Sequence, residues 1–380
     1  MIRVALKMLL GAPEQYAMLI SGICFSTILM VQGLALGIGV IQLNYALSTN
    51  VRAPIWVGTP LVASLGDNQP LRDTDVGRIR SVEGVAWAAP LFVGGAQARI
   101  LDRGGLSKSV TLIGVDTATL AGAPTAMLAG SLQDLRMSDA VIVDESVLIR
   151  LSFDPKVPLK VGDTFEMNDR RARIVGVAET RQMGGGTAGS VFTTFDRATQ
   201  YAPGQRKMVT FVLAAPMAGE TAETVARRIE GATGLRAFTE GEFRASTVKW
   251  AVANTPVPFL VGIIVGIGFL VGTVISGQTF FTFIIENTRY FGVLRAMGTQ
   301  TTRLAGMILV QAMVVGAIGY GLGVGLISVA VAFAPPTLPL VITWAALGAS
   351  LVAVLGICGM AALLGIRRMA SIEPAIVFRG

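Results

Sequence analysis

Trp250 to Ile285 reads WAVANTPVPFLVGIIVGIGFLVGTVISGQTFFTFII, an unbroken run without a charge that ends at ENTRYFGVLRAMGTQTTR, Glu286 to Arg303. A helix crossing a hydrocarbon core of about 30 Å needs about 20 apolar residues. This run therefore holds one span, and the polar segment after it turns the chain back. Two further uncharged runs lie outward of it, Gln15–Val51 and Leu304–Ile366. The first holds one helix, over 16–47, and is too long for a signal-peptide core of about 15 residues. The second holds two, because Ala334-Pro335-Pro336-Thr337-Leu338-Pro339 cannot continue a helix. The reading is a membrane protein with four transmembrane helices at 16–47, 250–285, 304–333 and 340–366, with a short outer loop at 334–339.

The composition agrees. Of 380 residues, 52% are hydrophobic and 14% charged, with a mean hydropathy of +0.64; soluble proteins carry about 25% charged residues. The stretch Arg52–Lys249 contains 23 of the 31 Lys and Arg and 21 of the 24 Asp and Glu. A soluble domain thus occupies 52–249, between the first two spans. Short basic flanks set orientation. Arg3 and Lys7 in the segment 1–15, Arg289, Arg295 and Arg303 in 286–303, and Arg367, Arg368 and Arg379 in the tail 367–380 all fall on one side of four spans. That side is expected to be the cytoplasm, with both termini there and 52–249 outside. The net charge of +7 is then mostly a topology signal and not a nucleic-acid footprint.

The chain contains no histidine, and Cys24 and Cys358 both lie in apolar runs. Ser-His-Asp and Cys-His catalysis, His-ligated metals and disulfide scaffolds are excluded. No GxxxxGK[ST] motif occurs; Gly104-Gly105-Leu106-Ser107-Lys108-Ser109 only imitates its composition. Any ATP-driven work needs another subunit. The spans carry no buried charge that would mark an ion pathway.

The soluble domain reads as mixed α and β. Strand-like runs are 55–57, 110–115, 140–143, 173–177 and 208–213, and helices are expected at Asp73–Ser81 and Glu220–Gly231. Asp144-Glu145 are adjacent acids that would not face one another. Arg170-Arg171 beside Asp169 reads as a solvated turn, and Gly184-Gly185-Gly186 with Gly189 as a flexible loop, a contact loop for a partner being the alternative. Glycines recur four apart at Gly33/Gly37, Gly262/Gly266, Gly268/Gly272, Gly319/Gly323 and Gly321/Gly325, spacing that lets helices approach closely in lipid. The first two helices are longer than a span, as either a mechanical connection to the outer domain or a merely tilted pair would be.

Phe291, Leu294 and Met297/Gly298 recur at helical spacing in Glu286–Arg303, with Arg289 and Arg295 to the polar sides. A short amphipathic helix here is either a docking piece for a partner groove or a basic interfacial turn that sets topology. Thr288-Arg289-Tyr290-Phe291-Gly292-Val293-Leu294-Arg295-Ala296-Met297-Gly298-Thr299 resembles the cytoplasmic signature of permeases of the MacB/FtsX/LolC superfamily of ABC transporters. The 371–379 tail, the Val161-Gly162-Asp163-Thr164-Phe165 stretch followed by 172–177, and the order of one span, an outer domain and three spans are also similar. The first span is most similar to DevC-type exporter permeases. Where the family carries an acid, this chain has Tyr290; Glu286 lies one helical turn earlier.

The resemblance implies a MacB-like periplasmic core domain, with 52–115 and 206–249 forming a ferredoxin-like part and 116–205 an inserted β-rich part. It implies an inner-membrane permease subunit without an ATPase site. Two separate ATPase subunits holding ATP and Mg would dock on Glu286, Arg289, Phe291, Gly292, Leu294, Arg295, Ala296 and Gly298. A second permease copy, identical or a paralogue, would pair with it. A membrane-fusion adaptor and an outer-membrane channel would receive a lipid-like or hydrophobic substrate, exported by mechanical motion of the outer domain. The alternatives are an FtsX-like regulator of an outer hydrolase and a membrane-anchored enzyme or receptor acting through the outer domain alone.

Overall fold

The computed structural model describes residues 13–51, 53–64, 69–100, 107–152, 158–180, 189–202, 209–335 and 338–370. Arg3, Lys7, the Gly184–Gly186 loop, Gly104–Leu106 and the 371–379 stretch lie outside the described residues, as do the side chains of Arg289, Phe291, Ala296 and Arg368. Helix α1 runs Pro13–Asn50, three residues past the expected end. The chain divides into two units, one reaching Gly39 and resuming at Pro256, the other Val40–Thr255. α1 therefore contributes to both.

The second unit holds β1 (Ile55–Gly58), α2 (Asp73–Arg80), β2 (Val85–Arg99), β3 (Lys108–Val115), β4 (Met127–Ala129), β5 (Ala140–Asp144), α3 (Glu145–Leu151), β6 (Thr164–Met167), β7 (Arg170–Ala178), β8 (Gly189–Thr194), α4 (Phe195–Tyr201), β9 (Phe211–Pro216), α5 (Ala222–Thr233), β10 (Arg236–Thr239) and α6 (Glu240–Asn254). The strand order β10-β1-β9-β2, all antiparallel, is that of a split β-α-β-β-α-β unit. Alternation along β1 and β9 decides the two faces. Ile55, Val57, Val212 and Ala214 pack with Ile79 of α2 and Val225 and Ile229 of α5. Trp56, Phe211 and Leu213 point the other way, into a core shared with Phe243 of α6 and with Ala46, Leu47 and Val51 at the end of α1.

β2 is long enough to serve two sheets. Val85–Leu91 pair with β9, whereas Phe92–Ala98 pair with β3. From there β3, β8, β5 and β7 follow in order, and β6 pairs with both β7 and β2. The six strands close a ring around Phe92, Ala98, Leu112, Val141, Phe165, Ile174 and Val191, all buried; closure removes the exposed edges that open sheets must protect. The sequence reading drew the boundary of this part at 116. The pairing of β3 with β2 and β8 draws it inside β2 instead.

Asn168 and Asp169 join β6 to β7 with φ of 48° and 64°, as a two-residue hairpin turn requires. Asn168 also exchanges hydrogen bonds with the Gln97 backbone, tying the turn to β2. Arg170 and Arg171 are thus strand residues, and Arg171 pairs with Asp139 at 2.9 Å. The Arg99 guanidinium, hydrogen-bonded to Glu166 and beside Asp169, has its pKa pushed up. Burial, reinforced by Asp139, pushes the Tyr201 hydroxyl up to about 12; that hydroxyl donates to the Arg171 carbonyl at 2.8 Å.

The first unit contains α7 (Val257–Glu286), α8 (Thr288–Ala296), α9 (Thr301–Ala332) and α10 (Trp344–Ala370). Among the described residues four helices, α1, α7, α9 and α10, are long and apolar enough to cross a membrane. The second span was expected from 250. Residues 250–254 instead complete α6, and α7 starts at Val257 with a proline in its first turn, where a missing N–H costs nothing.

Three of the five glycine pairs pack inside the chain. A Cβ on Gly33 or Gly37 would meet Ile264 or Val261 of α7; on Gly272 it would meet Ser26, and on Gly319 or Gly323 it would meet Ile23 or Thr27 of α1. The Ser26 hydroxyl donates to the Gly268 carbonyl at 2.5 Å. Gly262, Gly266, Gly321 and Gly325 face open space. Phe259, Phe333 and Trp344 are 71%, 86% and 90% exposed at one end of the helices, the placement of an aromatic belt at a membrane surface.

Candidate functional site

The segment expected to couple to a partner is a helix, α8, held at both ends. The Asn287 backbone N–H and side-chain amide both donate to the Phe283 carbonyl, at 3.0 and 2.9 Å, where α7 gives way to α8. At the other end Gly298 N–H donates to the Arg295 carbonyl at 3.0 Å and Thr299 N–H to the Leu294 carbonyl at 3.1 Å. Those two bonds with Gly298 at φ +84° form a Schellman cap. α9 then begins with Arg303 and Leu304 N–H both donating to Gln300 O.

The faces of α8 differ from the sequence reading. Leu294 packs against the membrane core that includes Phe280, Phe283, Ile284 and Leu304, and Gly292 is buried. Tyr290, Val293 and Met297, spaced three and four apart, are 65%, 43% and 70% exposed. Met297 therefore belongs to an outward apolar stripe and not with Leu294, and Arg295 is half-buried instead of lying on a solvated side. Glu286 and Gly298 are exposed. The bundle takes the inward side and leaves the stripe uncovered, so periodicity alone could not tell the two apolar faces apart.

α1 is gripped twice. In the membrane unit the Val341 N–H donates to the Ala35 carbonyl at 3.2 Å, and a Cβ on Gly39 would collide with the Pro339 carbonyl. In the outer domain Arg244 of α6 lies over the Tyr45 ring, 4.4 Å from its centroid, and donates to the Tyr45 hydroxyl at 3.0 Å. Nearby Trp56 stacks on Phe243 at 5.1 Å. None of these residues was singled out from sequence; their partners are some 200 and 300 positions away.

Asp144 has a structural role. It is 3% exposed and accepts from Val147 N, Ser146 Oγ, Ser190 N and Thr180 Oγ1, capping α3, while Glu145 faces solvent. Among the described residues no three His, Cys, Asp or Glu side chains are grouped to hold a metal.

Two family models match the chain. The MacB-like periplasmic core domain matches residues 16–232, and the FtsX-like permease C-terminal domain residues 260–374. A 168-residue segment is 26% identical to an uncharacterized ABC transporter permease of Methanocaldococcus jannaschii, covering 42% of this chain and 41% of that protein; the chain thus spans about two-fifths of that relative's length. Among solved structures, the extracellular domain of the ABC-type transporter YknZ from Gram-positive bacteria is 13% identical, with a TM-score of 0.36 over 50% of this chain and 100% of that one. The periplasmic region of MacB from Actinobacillus actinomycetemcomitans is 13% identical, with a TM-score of 0.39 over 54% and 95%. Because the first family model alone covers more than half of the residues and the second continues through the last three spans, the chain belongs to the MacB/FtsX family of ABC transporter permeases.

Proposed function

We propose that this permease is the transmembrane subunit of an exporter driven by a separate ATPase, and that α8 is where the ATPase docks. The observation that carries the reading is the outward stripe Tyr290–Val293–Met297 on a helix whose other side is packed into the bundle. A partner groove can take the stripe by its apolar residues, and force applied there reaches the bundle through Leu294. Gly292 and Gly298 act by close packing and chain reversal; Glu286 and Arg295 supply charge beside the stripe, and Arg289, Phe291 and Ala296 complete the helix. ATP and Mg would sit wholly on the partner. In this reading α8 and both termini are cytoplasmic and the outer domain periplasmic, which the basic flanks support.

Motion at α8 would pass along α1, through its grips at Gly39 and Tyr45, to the outer domain. The cargo would be lipid-like or hydrophobic, taken from the outer leaflet or the periplasm and handed to an adaptor and an outer-membrane channel. Two permease copies would pair above two ATPases. The test is gentle purification from the native membrane with mass spectrometry of co-eluting proteins, for the wild type and for Val293→Glu with Met297→Glu. The expected result is an ATPase and an adaptor with the wild type, and loss of the ATPase from the variant while the permease stays folded. An ATPase retained by the variant would remove α8 from the docking role, and a cell-wall hydrolase in place of the adaptor would move the protein to the regulators.

A further inference from the structure

In the outer domain a cleft of about 550 Å³ runs along β10. Among the described strands β10 pairs with β1 alone, so it forms an edge of its sheet. α5 and α6 flank it from opposite faces of that sheet. Glu223, Arg227 and Glu230 of α5, Arg236 of β10, and Glu242 and Lys249 of α6 line the cleft, around a floor that includes Ala237 and Phe238. The volume falls in the range of small-molecule sites, about 300–1,000 Å³.

The edge itself is closed to a further strand. The Ala237 N–H donates to the Glu230 carboxylate at 3.1 Å, and the Thr239 N–H to Glu242 at 2.9 Å. Carboxylates on the outward donors blunt a sheet edge. Glu230 also lies 3.5 Å from Arg236, whose guanidinium sits over the Phe238 ring at 5.2 Å. These groups are committed, and three others are not. Among the described residues the Arg227 guanidinium donates only to the Glu223 carbonyl, at 3.4 Å. Neither the Glu223 carboxylate nor the Lys249 ammonium has a partner among them. The free groups are thus two cations, one on each wall, and one acid about 6 Å along α5 from Arg227.

We infer that this cleft binds the zwitterionic headgroup of a phospholipid bearing a primary ammonium, with Arg227 and Lys249 on the phosphate and Glu223 on the ammonium. Charge selects the occupant. The lining carries three cations and three acids, so a plain anion would meet Glu230 and Glu242, and a plain cation would meet Arg236. A zwitterion satisfies both signs, and an ammonium with three N–H donors suits a carboxylate that only accepts. A lipid is also within reach. Lys249 lies five positions before the end of α6 and eight before Val257, where α7 begins. That is at most about 18 Å of chain. Val252, one turn beyond Lys249, is 49% exposed and gives an acyl chain an apolar step towards the span. Such a site does not depend on how the permease is driven or on what it exports.

The test uses the full chain, purified in detergent and freed of lipid. It is titrated with short-chain phosphatidylethanolamine, phosphatidylcholine or phosphatidylglycerol, and native mass spectrometry reads the bound lipid. Phosphatidylethanolamine is expected to bind tightest. An exposed charge pair is worth about 1.4- to 5-fold in affinity. Glu223→Gln should therefore cut the preference for phosphatidylethanolamine over phosphatidylglycerol by about that factor. Arg227→Ala with Lys249→Ala should weaken all three lipids by about 2- to 30-fold, the product of two such pairs. Arg170→Ala, at an exposed cation outside the cleft, should change none of them, and each variant should melt where the wild type does. Unchanged binding in the double variant would overturn the site. Phosphatidylglycerol bound as tightly as phosphatidylethanolamine, or a preference that survives Glu223→Gln, would overturn the zwitterion. Glycerophosphoethanolamine, the same headgroup without acyl chains, binding with equal affinity would overturn the lipid as its source.

Discussion

The cap at Gly298 gives the sharpest test of how α8 is built. Gly298 has φ +84°, and a Cβ placed there would meet no atom within 4 Å. Gly298→Ala therefore adds no clash, and its whole effect is the cost of holding an L-residue in the left-handed region, about 1–2 kcal/mol. That strain is relieved when the cap opens, releasing the amide of Thr299 from the Leu294 carbonyl. A cost of this size changes an opening equilibrium about 5- to 30-fold. Hydrogen exchange of the segment 294–304, followed by mass spectrometry, should show the Thr299 amide exchanging faster in the alanine variant by that factor. Protection elsewhere in α9 should be unchanged, because the opening is local. Gly298→Asn should fall between the two, since asparagine tolerates the left-handed region better than alanine. ATP-hydrolysis coupling should decline in the same order, glycine above asparagine above alanine. Equal protection in wild type and alanine variant, or asparagine no better than alanine, would refute the assignment of a strained cap.

Three further outcomes are expected. Phe243→Ala removes the ring stacked on Trp56 at 5.1 Å and in edge contact with Phe211; it should cost about 3–5 kcal/mol, read as a lower melting temperature and a shifted tryptophan emission. In an absorbance titration, Tyr201 should ionise near pH 12 against an ordinary value of 10.0. Its folded-state pKa is raised, so the stability it contributes is complete below pH 10 and is lost as pH rises towards 12. Ile41→Gly with Gln42→Gly places two glycines in α1 between its grips at Gly39 and Tyr45, weakening the helix by about 2 kcal/mol. Export should fall while ATP hydrolysis continues, and unchanged export per ATP would show that α1 does not carry the motion.

The sequence revealed the spans more readily than the domain between them. Charge-free runs announce membrane helices because a buried charge is costly in lipid, whereas the turn read at Arg170-Arg171 falls at Asn168-Asp169. β2, the strand on which both parts of the outer domain depend, left no such mark. Its run VAWAAPLFVGGAQAR carries Pro90, Gly94, Gly95 and five alanines, all poor strand formers. It is a strand because β9 and β3 flank it, a tertiary cause that local propensity does not contain. α6 was missed for a different reason. Thr239 and Glu242 form a capping box, a signal present in the sequence but masked by the uncharged run beginning at Trp250. At α8 the helix was legible and its outward face was not, since a stripe that meets a bundle and one that meets a partner have the same period.

The two grips on α1 bear on what kind of connection the helix can be. Gly39 is held where the Pro339 carbonyl leaves no space for a side chain, and Tyr45 is held under the Arg244 guanidinium. Tyr45 lies six positions after Gly39, about 9 Å of helix, and α1 continues through this stretch without a break. A flexible linker between units usually carries glycine, serine or proline; Val40-Ile41-Gln42-Leu43-Asn44 contains none of these. Under the proposed mechanism this unbroken stretch of α1 is where motion would pass, and the Ile41→Gly, Gln42→Gly variant tests it.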